Sequence, residues 1–374
     1  MKIFLAVFAL TFPLIAQRNY PPDIPTAQKN LYKTIGDKKL HLYTFKPKGW
    51  KAEDKRPAVI FFFGGGWNSG SPEQFVPQCK HLASKGLVAM TADYRVKSRH
   101  GTTAKDCVAD ARDAMIWVRK NATKLGIAPD RLAAGGGSAG GHIAACLGCI
   151  APPKKETLSS RPNALFLFNP ACVLAPLDEK QVFSKERIKQ LKVRMGTNPK
   201  NLSPAHHTSK DDPPTIVFHG TADPTVPYAT AVIFTPRLKA AGVRCELMSY
   251  EGAKHGFFNA RGGNDSVMRK TLKQLDAFLI SLKWIEDTPT QKAGIKNLIS
   301  PANPDLALES YVRFYSCSIR NRTNQSEFEV EGGVRRIITD SVPSPLSTGA
   351  PSTCIAKEVA AEVQGFRLLD ACTV

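Results

Sequence analysis

Short apolar runs alternate with longer amphipathic segments along most of the chain. Two strand-like segments come first and a strand–helix alternation follows, which predicts an α/β fold with an open, mostly parallel sheet and helices on both faces. Runs such as AVIFFF and ALFLF are apolar throughout, as in strands covered on both faces. The eight predicted strands are 31–36, 39–46, 57–63, 87–93, 130–135, 163–169, 213–219 and 243–250. The predicted helices are 72–85, 104–124, 139–150, 184–195, 228–241 and 265–283.

The N-terminal segment has the pattern of a secretory leader. Lys2 precedes an apolar run from Ile3 to Ile15, and Ala16 is a small residue suited to a cleavage site. The run is too short to span a bilayer, which needs about 20 residues. We therefore expect residues 1–16 to be a signal peptide and the protein to be secreted or periplasmic, without stable membrane insertion. A buried first strand and an uncleaved anchor at a lipid surface are the alternatives.

The positive charge is large but diffuse. The formal net charge is +19, and because basic and acidic residues balance within 288–374, the whole excess belongs to residues 1–287. The lysines and arginines are scattered and accompany no nucleic-acid-binding motif, so nucleic acid is not an expected partner. The pattern indicates a basic surface in solvent, with attraction to an acidic polysaccharide as a second interpretation.

The cysteine pattern does not indicate a metal site. There are nine cysteines, and in an exported protein an odd number leaves at least one thiol unpaired. Cys146 and Cys149 form a CxxC sequence inside an apolar helical pattern, with no second cysteine pair at metal-ligand spacing. Small buried side chains are therefore the preferred interpretation, and redox or zinc chemistry is the alternative.

The strongest chemical motif is GGSAG at 136–140. It follows a predicted strand and precedes a predicted helix, which is the setting of a nucleophile elbow. Glycines flank Ser138 because the turn is too tight for side chains at those positions. The serine oxygen then projects at the tip of the turn, next to a helix N-terminus that favours developing negative charge.

Three further motifs follow the ends of other predicted strands. FGGGW at 63–67 bends the backbone so that its N–H groups, with that of Ala139, can hold an oxyanion. HGTADPTVP carries Asp223 and EGAKHGFF carries His255, each in the loop beyond a strand. Singly, these residues also fit a glycine-rich turn, a turn-capping aspartate and a surface histidine. Their chain order of serine, acid and histidine is the order expected for a nucleophile on this fold.

These four motifs, over about residues 31–284, resemble the α/β-hydrolase esterase/lipase superfamily. Within it, the chain is similar to bacterial acetyl-xylan and feruloyl esterases and to hormone-sensitive-lipase-like carboxylesterases. The resemblance implies an α/β-hydrolase fold and a serine esterase that needs no metal or organic cofactor. It implies Ser138 as nucleophile, His255 as general base and Asp223 as the acid that orients the histidine.

The resemblance also implies oxyanion donors from Gly65, Gly66 and Ala139. One residue departs from the family, because Phe63 stands where the family usually has a histidine that braces the glycine loop. We expect activity to survive this change and the support of the loop to differ.

Three aromatic residues, Trp67, Phe257 and Phe258, flank these loops and are candidates for lining an acyl or sugar site, with core packing as the alternative. A small insertion after the sixth strand, about 172–212, includes the basic helical stretch SKERIKQLKVRMG. It is too small for a large lid, which favours an open pocket and soluble short-acyl esters. Acetyl or feruloyl esters on plant-type or algal polysaccharide are the natural substrates that the resemblance suggests.

Two other functions remain open at this stage: a serine peptidase of the prolyl-oligopeptidase type, and a non-catalytic carbohydrate-binding protein with a hydrolase fold.

The predicted domains are the leader at 1–16, a catalytic domain at 17–287 and an extension at 288–374. In the extension the strand–helix alternation stops, and SVPSPLSTGAPST is typical of a flexible linker. A small cysteine-stapled module, a disordered segment or a non-native reading frame would each fit it. The sequence leaves the oligomeric state open.

Overall fold

The predicted sheet is present in the computed structural model, which describes residues 20–153, 156–178, 180–260 and 265–287 and the backbone of 328–331 and 334–337. Its strands are β1 (Gln28–Ile35), β2 (Lys38–Phe45), β3 (Arg56–Phe62), β4 (Val88–Ala92), β5 (Ile127–Gly137), β6 (Ala164–Phe168), β7 (Thr215–Gly220) and β8 (Cys245–Tyr250). They are ordered β1-β2-β4-β3-β5-β6-β7-β8. The pairs β1–β2 and β2–β4 are antiparallel and the others are parallel. The prediction of an eight-stranded, mostly parallel sheet is therefore confirmed.

The helices match the predicted segments with a few differences. They are α1 (Val76–Ser84), α2 (Lys97–His100), α3 (Ala104–Lys120), α4 (Ala122–Leu125), α5 (Ala139–Cys149), α6 (Lys185–Met195), α7 (Ala229–Ala240) and α8 (Ser266–Ser281). The predicted helix 72–85 begins instead as a 3-10 turn, Pro72–Phe75, because prolines occupy both helix starts. The predicted helix 104–124 divides at Asn121, whose side chain binds the carbonyl oxygen of Trp117. None of the described helices has the length and apolarity that a membrane span requires.

Two apolar layers cover the two faces of the sheet. Along β3, Ala58, Ile60 and Phe62 pack into one layer, with residues of α3, α5 and α7. Val59 and Phe61 alternate with them and pack into the other layer, with residues of α1 and α8. Successive residues of a strand face opposite sides of a sheet, so a strand buried on both sides must be apolar at every position.

The parallel strands place six loops at one edge of the sheet. The carboxyl ends of β3, β4, β5, β6, β7 and β8 lie at this edge, where ligands bind in open α/β sheets. The insertion between β6 and β7 carries α6 and two 3-10 turns, Pro199–Leu202 and Pro204–His206.

The chain divides into two units, Met1–Ile285 and Glu286–Val374. In the second unit, β9 (Phe328–Glu331) pairs with β10 (Val334–Ile337) as an antiparallel hairpin. The predicted signal peptide and the cysteines and linker of the extension lie outside the described residues.

Candidate active site

Ser138 lies at the sharp turn between β5 and α5, with the backbone angles φ 55° and ψ −117°. Such an angle is strained for a residue with a side chain and needs support from its surroundings. The Ser138 N–H donates to the carbonyl oxygen of Phe168 at 2.9 Å, which ties the turn to β6. Backbone also approaches closely on the β3 side: a Cβ at Gly140 would lie 1.9 Å from the Phe62 carbonyl oxygen, and one at Gly136 would lie 2.5 Å from it. Only glycine fits at both positions.

The three residues of the predicted triad lie in hydrogen-bond contact. The hydroxyl of Ser138 donates to Nε2 of His255 over 3.0 Å, and Nδ1–H of His255 donates to Oδ2 of Asp223 over 2.7 Å. The other carboxylate oxygen of Asp223 accepts from the N–H groups of Thr225 and Val226 at 2.8 and 3.0 Å. Four contacts therefore align a serine oxygen, an imidazole and a buried carboxylate.

The surroundings of Asp223 favour its charged form. Burial by itself would raise its pKa, but hydrogen bonds from His255, Val226 and Thr225 outweigh burial and hold the pKa below its ordinary value. His219, which ends β7, lies beside it, with Nε2 at 3.6 Å from Oδ2 of Asp223. Nε2–H of His219 donates to the Val226 carbonyl oxygen at 2.9 Å, and burial lowers the pKa of this ring. A neutral His219 thus holds the loop that carries the acid.

The glycine loop presents N–H groups next to Ser138. The N–H of Gly64 is occupied, because it donates to Oε1 of Gln74 at 2.6 Å. Among the hydrogen bonds of the described residues, none is donated by the N–H of Gly65 or Gly66. Ala139 is the first residue of α5, where an N–H has no partner within the helix. The three predicted oxyanion donors are therefore available for a ligand oxygen.

Gln74 and Tyr94 support the glycine loop in this chain, where Phe63 replaces the usual histidine. The Phe63 ring stacks on Tyr94 with centroids 4.1 Å apart, and the Tyr94 hydroxyl donates to the Phe63 carbonyl oxygen at 2.6 Å. Gln74 also donates to Oδ1 of Asn259 at 3.1 Å, which links the loop to the segment after His255. Neither residue is predictable from the sequence, because nothing in the local pattern marks Gln74 or Tyr94 as part of a site.

Trp67 and His142 connect the glycine loop to the insertion. Nε1–H of Trp67 donates to Nδ1 of His142 at 3.2 Å, and Nε2–H of His142 donates to the Leu202 carbonyl oxygen at 2.6 Å. His142 is completely buried, and burial lowers its pKa to about 4. The geometry needs the neutral ring, since Nδ1 accepts a hydrogen bond.

A cavity of about 320 Å³ opens above Ser138 and His255. Trp67 and Phe258, two of the predicted substrate-site residues, line it. Phe257 is not among the lining residues: its ring packs on Tyr250 in the core, with centroids 4.7 Å apart. Its predicted place at the substrate site therefore does not match its position, because neighbouring residues of this loop point in different directions.

The insertion after β6, predicted to be too small for a large lid, forms one side of this cavity. Five of its residues line the cavity: Leu174, Phe183, Arg187, Leu191 and Arg194. Asn169, at the end of β6, also lines it and was not identified from the sequence. Its amide nitrogen lies 3.4 Å from Nδ1 of His255, and its φ is 36°. Its position directly after an apolar strand is the signal that would have indicated it.

Comparisons with known proteins match this chain to ester hydrolases. The BD-FAE family model matches residues 44–238. Carboxylesterase NlhH of Mycobacterium tuberculosis is 26% identical over 290 residues, which cover 69% of this chain and 88% of that protein. Esterase 2 of Thermogutta terrifontis bound to butyrate is 47% identical, with a TM-score of 0.68, over 72% of this chain and 99% of that chain. The same esterase phosphonylated by sarin gives a TM-score of 0.69.

Proposed function

The chain belongs to the BD-FAE family and is a carboxylic ester hydrolase of the α/β-hydrolase fold, and we propose that it cleaves short-acyl esters through an acyl-enzyme on Ser138. The observation that carries the proposal is the relay of hydrogen bonds from Asp223 through His255 to Ser138. The relay ends at a cavity where three backbone N–H groups have no protein acceptor among the described residues.

In the proposed mechanism, His255 takes the proton of Ser138 as the serine oxygen attacks the ester carbonyl carbon. The carbonyl oxygen gains negative charge, which the N–H groups of Gly65, Gly66 and Ala139 stabilise. His255 then gives its proton to the leaving alcohol, and an ester bond joins the acyl group to Ser138. Water, deprotonated by His255, attacks that ester, and His255 returns the proton to the Ser138 oxygen as the bond to the acyl group breaks and the acid leaves.

The size of the cavity supports short acyl groups. Its volume of about 320 Å³ lies near the lower end of ligand pockets, which span about 300–1,000 Å³. The esterase from Thermogutta terrifontis has been crystallised with butyrate and with propionate. We therefore expect acetyl to butyryl esters to be better substrates than octanoyl esters. Acetyl or feruloyl groups on polysaccharide are the proposed natural substrates.

The test measures hydrolysis of p-nitrophenyl acetate, butyrate and octanoate, methyl ferulate and acetylated xylan. Ser138→Ala should lower kcat by at least about 1,000-fold, because the nucleophile is lost. Ser84→Ala, which removes a surface hydroxyl on α1, is the matched control and should retain activity. If Ser138→Ala hydrolyses these esters at the wild-type rate, the assignment of Ser138 as nucleophile is refuted. Cleavage of prolyl peptides without ester hydrolysis would favour the peptidase.

A stoichiometric label gives a second readout. The related esterase has been crystallised phosphorylated by paraoxon. Paraoxon should add one diethylphosphoryl group to the peptide that contains Ser138, detected by mass spectrometry, and should abolish hydrolysis in parallel. Labelling at another residue with full loss of activity would contradict the assigned nucleophile.

We also propose that the protein is exported. The support is the apolar run from Ile3 to Ile15 after Lys2. N-terminal sequencing of protein from cell fractions should find a chain that starts near residue 17 outside the cytoplasm. Intact Met1 in the cytoplasmic fraction would refute export.

A further inference from the structure

One face of α6 carries two arginines towards the cavity. Arg187, Leu191 and Arg194 are spaced at i, i+4 and i+7, which places them on the same side of a helix, and all three line the cavity. The lysines of this helix include Lys189 and Lys192, which are exposed instead. The arginines are thus selectively on the side that faces Ser138.

These two arginines have no acidic partner in the described part of the chain. No ion pair there includes Arg187 or Arg194, and the hydrogen bond of the Arg187 guanidinium goes to the neutral side chain of Gln190. The described residues that line the cavity include no aspartate and no glutamate. Asp223 lies behind His255 and is not among the residues that line the cavity. The described lining of the cavity therefore carries positive charge and no acidic side chain.

The positive charge lies close to the reacting groups. A Cβ added to Gly66 would come within 3.1 Å of Nη1 of Arg194, so this guanidinium lies against the glycine loop. Arg194 is only partly exposed, and burial, together with the charge of Arg187, lowers its pKa. The two guanidinium groups therefore repel one another, in a cavity that screens charge less than bulk water does.

An anion in the cavity would remove this repulsion. A guanidinium group has planar, paired N–H donors that match the two oxygens of a carboxylate. We propose that Arg187 and Arg194 bind a carboxylate group of the substrate, so that the enzyme prefers esters that carry a negative charge away from the scissile bond. This inference rests on the proposed esterase function and specifies its substrate class. Monoesters of dicarboxylic acids present the charge on the acyl side, whereas acylated hydroxy acids and acylated acidic sugars present it on the alcohol side.

The test uses two pairs of substrates that differ only in charge. Monoethyl succinate and its neutral amide, ethyl succinamate, test the acyl side. 4-Acetoxybenzoate and 4-acetoxybenzamide test the alcohol side. The quantity compared is the ratio of kcat/KM for the acid to kcat/KM for the amide, measured by pH-stat at pH 7.5 and 150 mM salt. We expect a ratio of at least about 10 in one of the two pairs, the usual scale for a hydrogen-bonded charge pair.

Variants separate the cavity arginines from the general positive charge of the protein. The double substitution Arg187→Gln and Arg194→Gln should bring the ratio close to 1, mainly by raising KM for the acid. Lys189→Gln with Lys192→Gln removes the same charge from the exposed face of α6 and should keep the ratio of the wild type. Labelling with paraoxon and the thermal unfolding midpoint report whether each variant is folded, and single arginine substitutions replace the double variant if it does not fold.

The outcomes distinguish this inference from the esterase proposal. Ratios near 1 in both pairs for a wild type that hydrolyses neutral esters would overturn the inference alone. A high ratio that the double arginine variant retains would overturn it as well. A wild type that hydrolyses no ester would overturn both proposals.

Discussion

The buried ring of His142 should make the protein sensitive to acid. In an unfolded chain a histidine titrates near pH 6.5, whereas burial lowers the pKa of His142 in the native state to about 4. Between these values the unfolded chain binds a proton that the native state does not, so acid favours unfolding. The stabilisation is fully present above pH 6.5 and is lost as the pH falls towards 4.

The size of this effect follows from the difference in pKa. A difference of about 2.5 units at 1.36 kcal/mol per unit corresponds to about 3 kcal/mol of the free energy of unfolding. Native domains are stable by about 5–15 kcal/mol, so this loss is a large share of the total. Because the Nδ1 lone pair accepts from Trp67, protonation would also break the contact between α5 and the glycine loop.

Urea unfolding at pH 7.5, 6.5, 5.5 and 4.5, followed by tryptophan fluorescence, measures the effect. His142→Gln keeps a hydrogen-bond donor and an acceptor at this position but does not titrate. Because both proteins have the same carboxylates, the contribution of those carboxylates to the pH dependence of stability cancels when the two are compared. The stability of the wild type relative to His142→Gln should fall by about 2–3 kcal/mol between pH 7.5 and 4.5. In the native protein, NMR of histidine labelled with ¹³C should show the His142 ring neutral at pH 5.5.

Parallel stability curves for the two proteins would refute this account, as would an NMR titration of His142 near pH 6.5. The NMR measurement needs only the wild type, so the prediction remains testable if the variant does not fold.

Three other changes test the site and the domain boundary. Gln74→Ala should lower kcat about 10- to 100-fold, since the Gly64 anchor of the oxyanion loop is lost, while Gln28→Ala on the exposed edge strand β1 should not; equal kcat values would show that the loop does not need this anchor. Asp223→Asn should lower kcat about 10,000-fold through loss of the orienting carboxylate, and a loss below tenfold would mean that another group orients His255. Truncation after residue 286 should preserve hydrolysis of p-nitrophenyl butyrate, because the cavity residues all lie between Gly64 and Asn259; a folded but inactive product would contradict this.

The sheet was predictable because its central strands are largely apolar on both faces. β6 and the Ala58–Phe62 part of β3 are uninterrupted apolar runs, and the motif residues Ser138, Asp223 and His255 each follow the end of a strand. Parallel strands bring their carboxyl ends to one edge, so residues more than 30 positions apart in the chain were expected to lie together. The apolar pattern of the strands and the chain order of the motifs therefore indicate which residues meet in the folded protein.

The contacts that complete the site were not predictable in the same way. The Gln74 side chain binds both Gly64 and Asn259. These contacts depend on the geometry of the loops, which no periodic pattern in the sequence predicts. The pair Phe257 and Phe258 shows the same limit: both are large and apolar, and only the backbone direction decides which ring reaches the cavity. The direction of Arg187 and Arg194 likewise depends on how α6 packs, which its basic composition does not specify.

The position of α6 separates the proposed catalytic residues from the arginines proposed to bind the substrate. Ser138, Asp223 and His255 are held by strand ends and core rings, whereas α6 belongs to an insertion outside the sheet. We therefore expect substitutions at Arg187 and Arg194 to change which esters are accepted more than they change the chemical step. In such variants the proposed catalytic residues stay unchanged, and the side chains of α6 that face the cavity determine which esters bind.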